Sequence, residues 1–451
     1  MSTLKMLPKQ AQLFFSDLYL LSHLTITLVC RLGTRLKWVV MLVRFLCYLC
    51  LLSVAFWRTA FIFIVSDYIK HGIKYGKNSR NNLDIYFANE NNPGYRIITK
   101  RKSAKKPVVI FISGGAWIIG YKAWGAFMGM LLCNLGIIFV SPDYRNFPQA
   151  RISNMVEDVS RAVEWVFKNI DKYGGDINNI YLCSQSAGGH IATLTLLQRA
   201  YYIEANKNNN NNISKFKNIK RFHSELNWKP TDLKGFFGIA SPFNLVEMKE
   251  YFDERGLYTD IVLYVMENNL ELNSPFHYLF NHFNREFVNL NDLKSSNNNR
   301  NNDESDVWSE LKINNTKTAN VFINDLILKE TNNNKISTTN LNKYQLKLPP
   351  IFLYHGADDL SVPVNGTIVM AKALATFNID VYLKIYDNKT HTGPIIEDPI
   401  QGTDPLVCDL LKVIFPSLTL DKIVHDIEHV MMGGIQLPNI FINAARYVCP
   451  F

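Results

Sequence analysis

The stretch that most constrains this chain is Asn179–His190, NIYLCSQSAGGH. An apolar, β-rich run, Ile180–Cys183, leads into a sharp turn through Gln185, Ser186 and Ala187. A helix-forming segment begins at Gly188. Strand, tight turn and helix form the context of a G-x-S-x-G elbow, where small neighbours let a strained central residue stand clear of the sheet. Ser186 is that central residue. The first Gly of the pattern is replaced by Ser184, small but carrying a Cβ. Alone, such a string is a weak signal that its surroundings must support.

A serine hydroxyl needs a base to become a good nucleophile, and the base needs an acid to orient it. Ile351–Tyr354 reads as a short buried strand and runs into HGADDLSVP, which holds Asp359, with Asp358 as its competitor for the acid role. Val381–Tyr386 alternates like another strand and is followed by Lys389-Thr390-His391-Thr392. Serine, acid and histidine thus come in the order Ser186, Asp359, His391, each just past an expected strand, which is the α/β-hydrolase order. Taken singly, Asp359 reads as a turn former and His391 as a solvated loop residue. The ordered set is what singles them out.

Developing charge on a tetrahedral intermediate needs preorganised N–H donors. Ala187, after the serine, supplies one. The Gly114-Gly115 pair, following the strand Pro107–Ile112, is expected to supply another. Such a loop usually begins with His, and here it begins with Ser113. Beyond it lie Trp117, Tyr121, Trp124 and Phe127, which either line an apolar substrate groove or pack in the core. Asp143 and Arg145 are expected to brace the neighbouring loop as an ion pair. Neither a metal nor a cofactor is expected.

Strands alternating with helices predict an α/β fold, a mostly parallel central sheet flanked by helices. Residues 71–451 form the expected catalytic domain. Expected strands include Asn82–Phe87, a segment near Tyr95–Lys100, Gly136–Val140 and Leu233–Ala240, with a helix over Met155–Ile170. Polar, Asn-rich inserts at about 206–230 and 289–345 offer little apolar area to bury and are expected to carry no chemistry. The formal charge of +9 comes without a basic helix interleaved with aromatics, so no nucleic-acid partner is expected. Seven scattered cysteines form neither a disulfide framework nor a metal set.

Residues 1–70 read as an apolar helical membrane-attachment region. From Ala11 to Val65 the chain is rich in apolar and aromatic residues, broken by Asp17, Arg31, Arg35, Lys37, Arg44 and Arg58. Its longest charge-free runs, Leu18–Cys30 and Phe45–Trp57, are about 13 residues each, short of the roughly 20 that span a bilayer. Imperfect transmembrane helices, helices lying in the interface, and core helices of a soluble domain all remain open. Trp38 and Trp57 are candidate interfacial anchors. On the membrane readings, a chain begun near Ser66 is expected to be more soluble and still active on a small ester.

The sequence resembles the isoprenylcysteine alpha-carbonyl methylesterases. The resemblance rests on SGGAWIIGYKAWG (Ser113–Gly125), DYRNFP (Asp143–Pro148), YLCSQSAGGHIA (Tyr181–Ala192), RGLYTDI (Arg255–Ile261), HGADDLSVP (His355–Pro363) and KTHT (Lys389–Thr392). It implies an α/β-hydrolase fold with an N-terminal membrane region, located at endoplasmic reticulum or Golgi membranes. It further implies hydrolysis of the methyl ester on a prenylated C-terminal cysteine, the partners being a prenylated protein or prenylcysteine methyl ester and the membrane. It also implies that Ser113 in place of His is ordinary for the family. A broader lipid or aryl esterase, an arylformamidase-like hydrolase and a non-catalytic membrane interaction protein are the competing readings. The oligomeric state is not legible.

Overall fold

A computed structural model describes residues 19, 22, 36–92, 94, 95, 105–207, 222–283, 346–402, 404–416 and 437–449. Eight strands form one sheet: β1 (Ile69–Lys74), β2 (Asn82–Tyr86), β3 (Lys106–Ile112), β4 (Ile138–Pro142), β5 (Gly175–Gln185), β6 (Gly235–Ile239), β7 (Ile351–Gly356) and β8 (Val381–Tyr386). Their order is β1-β2-β4-β3-β5-β6-β7-β8. β1 and β2 pair antiparallel, as do β2 and β4. Every pairing from β4 across to β8 is parallel.

A parallel strand covered on both faces reads as a continuous apolar run rather than an alternating one. β3, KPVVIFI, is buried along its whole length. Its side chains divide between two cores. Val108, Ile110 and Ile112 enter one, and Val109 and Phe111 enter the other. Among the described residues the α-helices longer than one turn are α1 (Leu36–Leu51), α2 (Ser53–Val65), α3 (Ala126–Asn134), α4 (Ile152–Asn169), α5 (Ala187–Lys207), α6 (Leu245–Glu254), α7 (Thr259–Val265), α8 (Pro275–Phe283), α9 (Val364–Thr376), α10 (Pro405–Ile414) and α11 (Asn439–Val448). Residues of α4, α5 and α9 complete the first core. Residues of α1, α2, α3, α10 and α11 complete the second. In α4 the expected stripe Val156, Val159, Val163 and Val166 is buried, because residues three and four apart share one helix face.

β2 has two antiparallel neighbours, β1 and β4, and β1 straddles the boundary expected at residue 70. Two expectations need correction. The strand sought near Tyr95–Lys100 is absent at Tyr95, which is helical, and residues 96–100 lie outside the described ones. Asp143 does not pair with Arg145. Arg80, buried beside it, donates to both Asp143 oxygens at 2.8 and 2.6 Å. Arg145 makes its own two-pronged pair with Asp158 at 2.8 and 2.7 Å. Planar guanidinium–carboxylate geometry favours such bidentate pairs, and sequence neighbours in an extended loop rarely achieve it.

The apolar N-terminal helices share the core with the sheet. Tyr48, Leu52, Ala55 and Phe63 are buried in the second core, while Val43, Leu46, Trp57 and Phe61 face outward. Among the described residues no single helix is long and apolar enough to cross a membrane. Val39–Leu51 and Ser53–Val65 pass that test only together and are bent by 74° at the break between them. Arg44, which interrupts the apolar run, donates to the carbonyls of Tyr447, Val448 and Cys449 at 3.3, 3.2 and 3.0 Å. It satisfies acceptors that a helix C-terminus leaves open. Residues 11–18, most of Leu18–Cys30, the side chain of Trp38 and the greater part of both Asn-rich inserts lie outside the described residues.

Candidate active site

β5 ends at Gln185 and α5 begins at Ala187, so Ser186 is the whole turn between them. Its φ is +54°, left-handed backbone that costs a non-glycine residue free energy. The Ser186 N–H donates to the Ile239 carbonyl at 2.9 Å, tying the turn to β6. Ser184, the departure from the usual Gly, fits because it pairs across the sheet with Gly238. Its hydroxyl lies 3.4 Å from the Phe237 carbonyl.

The structure brings Ser186, His391 and Asp359 together. His391 Nε2 is 2.8 Å from Ser186 Oγ, and His391 Nδ1 is 2.7 Å from Asp359 Oδ2. Asp358 is exposed, and its carboxylate is not the one set against His391. The other oxygen of Asp359 accepts from the N–H groups of Ser361 and Val362 at 2.7 and 2.9 Å, an Asx-type turn that fixes the carboxylate. Burial pushes the Asp359 carboxyl up. The neighbouring His391 and hydrogen bonds from His355 and His391 outweigh that and hold it well below the usual carboxylate range. His355 Nε2 lies 3.1 Å from Asp359 Oδ2 and 2.9 Å from the Val362 carbonyl, while its Nδ1 meets Thr367 Oγ1 at 2.7 Å. A carbonyl only accepts, so Nε2 carries a proton there. The acid and histidine loops also touch through backbone. A Cβ on Gly356 would stand 2.1 Å from the Lys389 carbonyl oxygen, so glycine is required for that approach.

The Gly-rich loop after β3 closes the other side. A Cβ on Gly114 would come 2.9 Å from Ser186 Cβ, which places this residue against the serine. Gly115 has φ +126°, a conformation side chains rarely adopt, and its carbonyl accepts from Ile118 and Ile119. The N–H of Ala187, at the first position of α5, has no intrahelical acceptor. Gly114 and Ala187 thus both lie beside Ser186, where backbone donors to a carbonyl oxygen acquiring charge would be needed.

Of the two readings of the aromatic run, Trp117, which is buried, fits core packing. A buried indole N–H needs an acceptor, and Nε1 donates to His190 Nδ1 at 3.1 Å, with Phe252 edge-on to the ring. His190 Nε2 donates in turn to the Asn273 carbonyl at 2.6 Å. Burial pushes the His190 pKa down to about 4, in keeping with a neutral ring that accepts at Nδ1. Tyr121 and Trp124 are half-buried, and the Trp124 N–H donates to the Ile119 carbonyl. Phe127 packs edge-on against Phe56 of α2, the ring centres 5.5 Å apart. Sequence reasoning missed His190, His355 and Gln185 as parts of the site. Their types and spacing carry no signal, since each acts through contacts made only on folding.

A mostly parallel sheet, with Ser186, Asp359 and His391 gathered past the carboxyl ends of β5, β7 and β8, puts the protein among the α/β-hydrolases. A family model described as BD-FAE matches residues 97–255. The isoprenylcysteine alpha-carbonyl methylesterase ICME of Arabidopsis thaliana is 32% identical over 442 residues, covering 97% of this chain and 82% of its own length. A probable isoprenylcysteine alpha-carbonyl methylesterase ICME of Oryza sativa subsp. japonica is 32% identical over 401 residues, covering 88% of this chain and 76% of its own. The chain belongs to the isoprenylcysteine alpha-carbonyl methylesterase family and is a carboxylic ester hydrolase.

Proposed function

We propose that the protein hydrolyses the methyl ester of isoprenylated C-terminal cysteine through Ser186, His391 and Asp359. The observation that carries this reading is the relay from Ser186 Oγ to His391 at 2.8 Å and on to Asp359 at 2.7 Å, launched from a strained turn against Gly114. In it, Ser186 Oγ attacks the ester carbonyl carbon while His391 Nε2 takes its proton. The N–H groups of Gly114, Gly115 and Ala187 hold the oxyanion, each donor of this kind contributing about 10²–10³ in rate. Collapse of the intermediate breaks the bond to methoxide, which leaves as methanol with the proton from His391. Water then repeats the sequence on the acyl-serine and releases the free carboxylate. Asp359 keeps the imidazole in the tautomer with Nδ1–H and does not itself take up the proton.

The substrate class is supported by the relatives' names and by the half-buried Tyr121 and Trp124 just past the oxyanion loop. The same reading has residues 1–70 hold the enzyme at a membrane, at the endoplasmic reticulum or Golgi. Outward-facing Trp57 (75% exposed) and Phe61 (65% exposed) on α2, with Val43 and Leu46 on α1, support that attachment.

Purified full-length protein in detergent, assayed on farnesylcysteine methyl ester and on a short-chain aryl ester, tests the proposal. The expected result is a higher kcat/KM on the prenylated ester, with Ser186→Ala abolishing both activities and fluorophosphonate labelling while the fold persists. Equal or greater preference for the aryl ester would make this a broad esterase. Full labelling of Ser186→Ala would sink the nucleophile assignment.

A further inference from the structure

Gln185, the residue before the serine, is buried, and its carboxamide lies between the oxyanion loop and the histidine. A Cβ on Gly114 would stand 2.3 Å from Gln185 Oε1. On the other side, Gln185 Nε2 is 3.2 Å from His391 Nε2 and 3.4 Å from the His391 carbonyl oxygen. That carbonyl can only accept, which assigns the NH₂ end of the carboxamide to the histidine side. A glutamine N–H therefore faces the same ring nitrogen that lies 2.8 Å from Ser186 Oγ.

This placement bears on the proton. While His391 Nε2 is unprotonated, its lone pair is available to both donors. Once it takes the serine proton, its own N–H faces a second N–H, and the positive end of the amide dipole faces a cation. A group that hydrogen-bonds one protonation state and opposes the other shifts the equilibrium between them. A bulky residue that merely filled this space would be indifferent to the proton.

We propose that Gln185 is a positioning residue that holds the His391 loop through its backbone carbonyl and disfavours the imidazolium, so that the base stays free at lower pH and returns its proton readily to the departing alkoxide. The proposal rests on the reading of Ser186, His391 and Asp359 given above.

The test is kcat/KM against pH on a short-chain aryl ester for the wild-type protein, Gln185→Leu and Gln185→Glu, each first shown to fold by circular dichroism. Gln185→Leu removes the opposing dipole and is expected to move the acidic limb to higher pH. Gln185→Glu keeps the shape but places a carboxylate beside the ring, and should move that limb further, by about one to three pH units. It also brings negative charge against Gly114 and should lower the plateau rate at least about tenfold. Should Gln185→Leu fail to fold, the near-isosteric and uncharged Gln185→Met carries the test, since a carboxylate at this position moves the limb whatever the glutamine does. Acidic limbs that coincide with wild type, in variants still labelled by fluorophosphonate, overturn the role of Gln185 and leave the triad standing. Undiminished activity in Ser186→Ala would instead overturn the triad reading itself.

Discussion

Ser186, Ala116 and Trp117 all occupy left-handed backbone, with φ of +54°, +49° and +63°. Such conformations persist only where surrounding bonds over-determine them. In the oxyanion loop one of the bonds that do this is Trp117 to His190. Trp117→Phe keeps most of the ring volume but leaves His190 Nδ1 buried without its donor, which costs about 1–3 kcal/mol. Thermal unfolding should register that loss, and kcat should fall more than KM rises as the loop loosens. His190 also predicts a pH dependence. Its folded pKa of about 4 lies below the unfolded value of about 6.5, so the unfolded chain binds the extra proton between the two. The stabilisation it contributes is complete above about pH 6.5 and lost as pH falls through the folded value near 4. His223, pushed down to about 3 by burial and by Arg199, acts in the same direction. In His190→Gln the side chain can still accept from Trp117 and donate to the Asn273 carbonyl. Its melting temperature should therefore drop less than the wild type's between pH 7 and pH 4.5, with the His223 contribution remaining. An identical drop would count against a neutral, buried His190.

At the scale of elements, the packing of α1 and α2 against the sheet argues that removing the N-terminal region carries a cost. Their inner residues belong to the core that also holds Phe111, Phe139 and Leu132. A chain beginning at Ser66 would expose that face, so it is expected to aggregate and to melt at lower temperature rather than to gain solubility. Light scattering and thermal unfolding of the truncated protein check this. A milder probe is Leu52→Ala. Leu52 is fully buried, and deleting its methyl groups should cost about 2–5 kcal/mol with the catalytic groups untouched. If the truncated chain instead proves monomeric, as stable as the full chain and fully active, the two helices are an appendage and the packing argument fails.

For the whole molecule, the inserts and the proposed membrane face are expected to be separable from the chemistry. The first insert leaves α5 after Lys207, and the chain is next described at Phe222. Removing residues 208–221 should leave kcat/KM within a few-fold of wild type, because loop length costs little in closure entropy and the Asn-rich composition buries little apolar area. A loss as large as that of Ser186→Ala would place the insert in the site. Membrane attachment is tested by carbonate washing of membranes carrying the full chain. Retention in the pellet is the outcome for a spanning segment and release that for helices lying in the interface. Recovery of a soluble monomer without detergent would count against attachment of either kind.

What the sequence determined by itself is local. Small residues around Ser186, continuous apolar runs at β3, β5, β6 and β7, and a 3.6-residue stripe in α4 are written in adjacent positions. Backbone sterics and burial turn them directly into an elbow, strands and a helix. The order of serine, acid and histidine was legible for the same reason, each following a strand. What only the tertiary structure decided are partnerships across long separations. His391 meets Ser186 across 205 residues of chain. Asp359 rather than Asp358 turns to that histidine, its other oxygen held by the N–H groups of Ser361 and Val362. Asp143 takes Arg80 rather than its neighbour Arg145. Trp117 faces His190, and the apolar N-terminal helices lend one face to the core. Hydrophobic patterning fixes that a side chain is buried, but it carries no record of which polar group will lie opposite. That is settled by strand order and by the close approach of loops, and neither is encoded within any one segment.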